Sequence, residues 1–239
     1  MTRIDRKLNE LRNIKFTPNV NKNALSSVLT EFGDTQVLVC VNYEDKVPLF
    51  LKNTGSGWLT AEYAMLPSST NTRNKREVKS GHQSGRSSEI QRLIGRSLRS
   101  CLDLGSLGEL SLIVDCDVLV ADGGTRTASI SGGFVALDLA IKKLLKNNLL
   151  QKNPIVRQIA AISLGILDQN IYLDLNYEED SSADVDLNIV MDENKRIIEI
   201  QGTGEKSTFS IDQLNHMLSI AGDGIHQIIK LQKKILISL

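Results

Sequence analysis

Two stretches of the sequence bring together residue types that handle charged substrates. The first is Asp122-Gly123-Gly124-Thr125-Arg126-Thr127, at the entry of a long apolar segment. Glycines let backbone approach an anion closely, free N–H groups at a helix start point toward it, and an arginine adds a planar forked cation. That combination is a phosphate cradle, although a Gly-Gly pair before a helix is also an ordinary turn. The stretch does not match G-x-x-x-x-G-K-[ST], so a nucleotide triphosphatase of that type is not indicated. The second is Asp180 followed by Asp184, Asp186 and Asn188. In an extended strand, residues two apart share a face, so 184, 186 and 188 project together, and Asp180 lies an even number further back. Carboxylates with only oxygen neighbours suit magnesium or manganese better than zinc, while an exposed polar strand face would give the same pattern.

The histidines are tied to neither stretch: His82 lies in a polar segment, and His216 and His226 in the last helical one. Activating water for hydrolysis calls for a general base. Phosphate is already an anion at neutral pH, so arginines and a metal ion would suffice if phosphate were the attacking group. The charges segregate in keeping with such chemistry. Arg73–Arg99 holds eight basic residues (Arg73, Lys75, Arg76, Lys79, Arg86, Arg92, Arg96, Arg99) against two acidic ones, a local balance of +6, whereas Asp174–Glu193 holds eight acidic residues and no basic one. A positive region suits a phosphate-rich ligand and a negative one a cation, although two solvated surfaces that merely differ would look alike.

The elements that must position these groups follow from the pattern of apolar residues. SSVLTEFGDTQVLVCVN (26–42) predicts a hairpin turning at Gly33-Asp34. Residues 66–88 are rich in Ser, Asn, Arg and Gly and predict a long irregular segment. Its apolar content is too low to fix Arg86 firmly, so something outside the segment has to order it. Ile90, Leu93, Ile94, Leu98, Cys101 and Leu102 predict an amphipathic helix over 88–104, with Arg92, Arg96 and Arg99 on its other face. ELSLIVDCDVLV (109–120) reads as one strand or a bent pair, and a largely buried helix runs from the Gly-Gly turn to about Asn147. Beyond Asn153-Pro154, IAAISLGIL, NIYLDLNY, 184–191 and 196–202 read as strands. A last helix starts near Ser210, where Gln213 has capping-box spacing, and is interrupted or bent around Gly222 and Gly224. Strand groups followed by helices, occurring twice, give an α+β fold in one unit of two halves with a joint near 148–156.

The bulk numbers narrow the class. The 239 residues, 41% hydrophobic and 23% charged, are enough to bury a sizeable core. Cys40, Cys101 and Cys116 lack any CxxC spacing and read as buried small hydrophobes, not as a disulfide or zinc framework. No run approaches the roughly 18 apolar residues of a membrane helix, and MTRIDRKLNELRNIKF is too charged for a signal peptide. A cytoplasmic protein without membrane contact is expected.

Six ordered strings, EFGDTQVLVC, GWLTAEYAMLPSSTNTRNKRE, SGRSSEIQRLIGRSLR, DCDVLVADGGTRTASISG, EEDSSADVDLNIVM and EIQGTGE, resemble the ribonuclease PH family over essentially the whole chain. The resemblance implies two βαβ-type halves, each pairing a mixed sheet with helices. It also implies a phosphorolytic 3′-exoribonuclease that finishes transfer-RNA 3′ ends, yields nucleoside diphosphates, runs backward when these are abundant, and assembles as a homohexamer, a trimer of dimers. By the same resemblance phosphate binding falls on Arg86, Gly124, Thr125 and Arg126, metal binding (Mg²⁺ or Mn²⁺) and catalysis on Asp180 and Asp186 with Arg126, and RNA contact on Arg73 and Arg76. Arg92, Arg96 and Arg99 match family arginines that serve either RNA contact or a subunit interface. Asp115 and Asp117 match as well, with a structural role. The family's opening pattern survives only as Ile4-Asp5-Arg6 and Leu11-Arg12-Asn13, lacking a Gly and a Pro, which touches the N-terminal strand and not the site.

Two other readings stand beside this one. A non-catalytic RNA-binding ring subunit of exosome type would have lost the arginine or the aspartates, which this chain keeps. A small-molecule phosphotransferase on the same broad fold would need a nucleotide-binding loop that the sequence lacks.

Overall fold

The computed structural model describes residue 3 and residues 5–238, without the side chains of Val78 and Ser80. The first sheet contains β1 (Ile14–Pro18), β2 (Ser26–Phe32), β3 (Thr35–Glu44), β4 (Trp58–Met65) and β5 (Ser111–Val120), in the order β1-β2-β3-β5-β4. The expected hairpin is β2–β3: Phe32 pairs with Thr35 across Gly33-Asp34, and Gly33 takes φ +58°. Two-residue hairpin turns need that left-handed geometry to follow the twist of the strands. β4 runs parallel to β5, which requires a crossover, and α1 (Gly85–Arg99) provides it.

α1 differs from the helix expected over 88–104 at both ends. It begins inside the polar stretch because Ser84 caps it, accepting from the Ser87 N–H at 3.1 Å, and Ser87 Oγ reaches Glu77 at 2.7 Å. Arg86 therefore stands in the first turn of a helix whose apolar face, Ile90, Leu93, Ile94 and Leu98, is buried. Support for Arg86 thus comes from outside the polar segment, as expected, through the buried face of the helix that follows it.

α2 (Thr125–Lys146) is buried on nearly every side because it lies between the two halves, packing on β2 and β3 of the first sheet and on β6 of the second. The second sheet holds β6 (Ile159–Leu167), β7 (Asn170–Leu173), β8 (Val185–Asp192) and β9 (Ile197–Gly204), in the order β7-β6-β8-β9 with every pair antiparallel. β7 and β8 both run opposite to β6 and hence parallel to each other, with α3 (Tyr177–Ser182) between them in sequence. Each half thus contains a β-α-β unit, adjacent in the first and split around β6 in the second. One apolar core continues through both, from Val39 and Leu112 to Ile162 and Ile189.

α4 (Ile211–Ile237) covers β6 and β8 and runs unbroken, so of the interruption or bend expected around Gly222 and Gly224 the interruption is ruled out. Those glycines serve close packing: a Cβ on Gly224 would lie 3.0 Å from Leu173. Its start is the expected capping box, Ser210 with Gln213. Among the described residues no helix is long and apolar enough to cross a membrane, and Cys40, Cys101 and Cys116 are buried and unpaired.

Candidate active site

The Asp122–Thr127 turn lies where the two halves meet. β5 ends at Val120, and the chain reverses through Gly123 (φ +72°) and Gly124 (φ +67°) into α2. Gly123 is obligatory: a Cβ there would stand 2.4 Å from the Leu175 carbonyl oxygen, so the turn sits directly on the backbone leading to α3. Gly124 is the N-cap of α2 and provides no side-chain cap, so the first N–H groups of the helix have no intrahelical acceptor. With the positive end of the helix dipole behind them, they have the chemistry to receive an anion.

The side chains of the turn are held from below and from the far half. Thr125 Oγ1 lies 2.8 Å from the Tyr63 hydroxyl, which β4 brings beneath it in the core. Burial keeps Tyr63 well above the ordinary phenol range, so it stays protonated and able to donate. Arg126 donates to Gln201 Oε1 at 3.1 Å and lies 3.4 Å from Glu89 Oε1, while Gln201 Nε2 donates to Glu89 at 3.1 Å. One arginine is thereby aimed by α1 of the first half and β9 of the second.

The acidic partner comes from two elements, not from one strand. Asp186 is on β8, where Asn188 donates to it at 3.2 Å, as the two-residue spacing predicts. Asp180 is on α3, so the even spacing to Asp180 played no part in bringing it in. α3 is fixed by an Asn176–Glu179 capping box and by Arg3, whose guanidinium donates to both Glu179 oxygens at 2.6 and 2.7 Å. Burial would raise the Glu179 carboxyl, yet these bonds hold it below the ordinary range. The reverse holds for the pair itself. Burial raises Asp180 despite the opposing charges of Arg86, Arg126 and Arg12. Asp186 is pushed up to about 6, first by burial and then by the charge of Asp180. Arg126 acts on both carboxylates and Asp180 acts on Asp186, so the three belong to one cluster.

Among the described residues no three His, Cys, Asp or Glu side chains are placed to cage a metal ion. Two half-buried, raised carboxylates still match what magnesium takes from a protein, since that ion usually keeps several waters and binds substrate phosphates alongside one or two carboxylates. Zinc, which prefers a closed nitrogen and sulfur set, does not fit.

The remaining arginines divide. Arg73, Arg76 and Arg92 are exposed, and Arg76 lines a cavity of about 1010 Å³ that Arg86 shares with Glu62, Asp115 and Asp117 of the sheet's outer face. Asp115 and Asp117 are raised by burial first and by Glu62 second. Arg96 is paired with Glu199 of β9. Arg99 stacks on Trp58, 4.4 Å from the ring centroid, and donates from Nη1 to the Leu59 carbonyl at 2.8 Å, so its guanidinium is held within the chain. The acidic run of 174–193 is likewise not one negative surface. Asp174 and Glu179 are buried against arginines of the N-terminal segment, and Asp192 accepts N–H groups from its own turn. Sequence reasoning missed Tyr63, Glu89, Gln201 and Arg12 as supports. Gln201 stands inside EIQGTGE, but nothing in a string of residues says which side chain it will meet across the fold.

Two family models match the chain: domain 1 of the 3′ exoribonuclease family over residues 10–142 and domain 2 of the same family over residues 157–224. Among curated proteins, the chain is 53% identical over 230 residues to ribonuclease PH of Dehalococcoides mccartyi strain 195, covering 96% of both chains. It is also 53% identical over 227 residues to ribonuclease PH of Syntrophomonas wolfei, covering 95% of both. Solved structures share the fold at lower identity. Rice Rrp46 matches with a TM-score of 0.79 at 19% identity over 97% of this chain and 98% of that one. The Archaeoglobus fulgidus exosome with RNA bound to the active site matches with a TM-score of 0.79 at 22% identity over 94% and 90%.

Proposed function

Because the chain belongs to the 3′ exoribonuclease family, we propose that the site just described removes nucleotides from RNA 3′ ends by phosphorolysis, as the ribonuclease PH resemblance implies. A phosphate oxygen attacks the terminal phosphodiester phosphorus and the bond to the 3′ oxygen of the preceding nucleotide breaks. The terminal nucleotide leaves as a nucleoside diphosphate, and the shortened RNA takes up a proton on its new 3′ hydroxyl. With excess diphosphate the same steps run backward and lengthen the RNA.

The observation that carries this reading is the convergence of an anion cradle, two arginines and two raised carboxylates at the junction of the halves. In this reading the N–H groups at the start of α2, Thr125 Oγ, Arg86 and Arg126 bind phosphate and offset its repulsion from the RNA backbone. Asp180 and Asp186 would hold a magnesium-type ion, which when bound supplies charge stabilisation for the phosphoryl oxygens. Asn188 orients Asp186, and the Gln201–Glu89 pair orients Arg126. The exposed Arg73 and Arg76 grip transfer-RNA precursors away from the 3′ end, and a homohexamer, a trimer of dimers in the cytoplasm, completes the picture. The ring-subunit alternative is less supported, since Arg126, Asp180 and Asp186 are all present and act on one another.

The test is direct: labelled transfer-RNA precursor is incubated with and without phosphate, and the released nucleotides are separated. Nucleoside diphosphates that appear only with phosphate are expected. Monophosphates released at full rate without phosphate would refute the reading.

A further inference from the structure

Arg12 precedes β1 in sequence, far from either chemical motif, yet its side chain ends behind the Gly-Gly turn. It is buried, 6% exposed. One arm of the guanidinium, Nη1, donates to the Asp122 carbonyl and stands 3.6 Å from the Asp122 carboxylate. The other arm, Nη2, donates to Asp174 Oδ1 at 2.7 Å and reaches toward the Gly123 carbonyl at 3.4 Å. Asp174 is fully buried, and its second oxygen accepts the Arg12 backbone N–H at 2.8 Å. The stem reaches the turn by crossing Gly33, where a Cβ would come within 2.7 Å of Arg12 Cδ.

We infer that Arg12 is a positioning residue for the phosphate cradle, locking the Asp122–Gly124 turn to the backbone that leads into α3. The inference rests on the phosphate reading of that turn. In a planar trans peptide the C=O and the following N–H point in opposite directions. Holding the Asp122 and Gly123 carbonyls toward Arg12 therefore fixes the Gly123 and Gly124 N–H groups away from it, on the opposite side of the turn. Thr35 adds to the same grip, donating to the Gly123 carbonyl at 2.6 Å and accepting the Asp122 N–H at 2.9 Å. The far half is attached by the same contacts, because Asp122 Oδ1 accepts the Tyr177 N–H at 3.0 Å in the first turn of α3, which carries Asp180. One forked cation thus holds in register an anion site from the first half and a carboxylate from the second. A lysine could keep the charge but not bridge a carbonyl and a carboxylate with parallel donors.

The test compares Arg12→Lys with Arg126→Ala in steady-state phosphorolysis of a short RNA, varying inorganic phosphate and recording thermal midpoints. For Arg12→Lys the KM for phosphate should rise about tenfold or more, with kcat at saturating phosphate reduced less than threefold. A merely structural role would lower the active fraction, and with it kcat, at unchanged KM. Where Arg12→Lys does not fold, Thr35→Val, which removes the other donor to the Gly123 carbonyl, should show the same rise in KM. An unchanged KM in the folded variant, beside an Arg126→Ala enzyme whose phosphate dependence is impaired, would overturn the positioning role alone. If Arg126→Ala also left phosphate dependence intact, the phosphate site itself would be misplaced.

Discussion

The proposed phosphate cradle and the carboxylate pair share Arg126 as a neighbour and are built on opposite principles. Behind the cradle nearly every supporting group has a partner: Tyr63 under Thr125, Gln201 and Glu89 on Arg126, Arg12 and Thr35 on the turn carbonyls. The carboxylates are placed as firmly, by the Glu179–Arg3 anchor and by Asn188, but the arginines around them offset their burial only in part. Burial raises both, and Asp186 reaches about 6. Preorganised donors need no rearrangement when an anion arrives, whereas raised carboxylates gain most when a cation does. On the proposed reading the first region is ready for phosphate, and the second is under electrostatic tension that a cation would relieve.

Removing that tension gives the largest expected effect. Asp186→Asn should lower turnover by about 1,000-fold or more, at the upper end for a single electrostatic group, while leaving RNA affinity largely intact. Single-turnover rates beside filter binding would check both. The same variant should be more stable than the parent at neutral pH. A carboxyl raised to about 6 when folded, against an ordinary value near 3.8, binds its proton more tightly in the native state. Its contribution to stability is full below the lower value and is lost as pH rises through the upper one. The melting-temperature advantage of Asp186→Asn, measured without divalent metal, should therefore widen from pH 5 to pH 7.5 to a few degrees. An advantage that narrowed over that range would contradict the incompletely offset charge of Asp186.

On the cradle side, Arg126→Ala should cost on the order of 100- to 1,000-fold in rate. A loss under threefold would place the anion site elsewhere. The smallest effect belongs to neither region. Replacing Arg73 and Arg76 together with Ala should weaken binding of transfer RNA about equally for all sequences and reduce the slope of log K against log salt by roughly 1.4 to 1.8. Short single-stranded RNA, which engages mainly the cradle, should be affected less.

Local pattern was enough for several elements. Alternation around Gly33-Asp34 predicted the β2–β3 hairpin, the spacing of Ile90, Leu93, Ile94 and Leu98 predicted α1, and Ser210 with Gln213 marked the start of α4. The strands at 14–18 and 58–65 were not read from their pattern: the first has only five residues at a sheet edge, whereas the second does alternate, burying Leu59, Ala61 and Tyr63. The glycines at 222 and 224 looked like a break, but in the fold they admit Leu173 and the stem of Lys195 against an unbroken helix.

The sequence by itself determined the chemical inventory: a turn fit for an anion, arginines around it, and aspartates two residues from a strand neighbour. These are properties of residue type and short spacing, which the backbone translates directly into shared faces and free N–H groups. Only the tertiary structure decided that Asp180 reaches the site from a separate helix, that Gln201 crosses from the second sheet to hold Arg126, and that Arg12 closes the turn from behind. Those contacts join residues 75 to 162 positions apart. Their geometry is fixed by how two sheets pack on one central helix, a property of the whole core that no local spacing encodes.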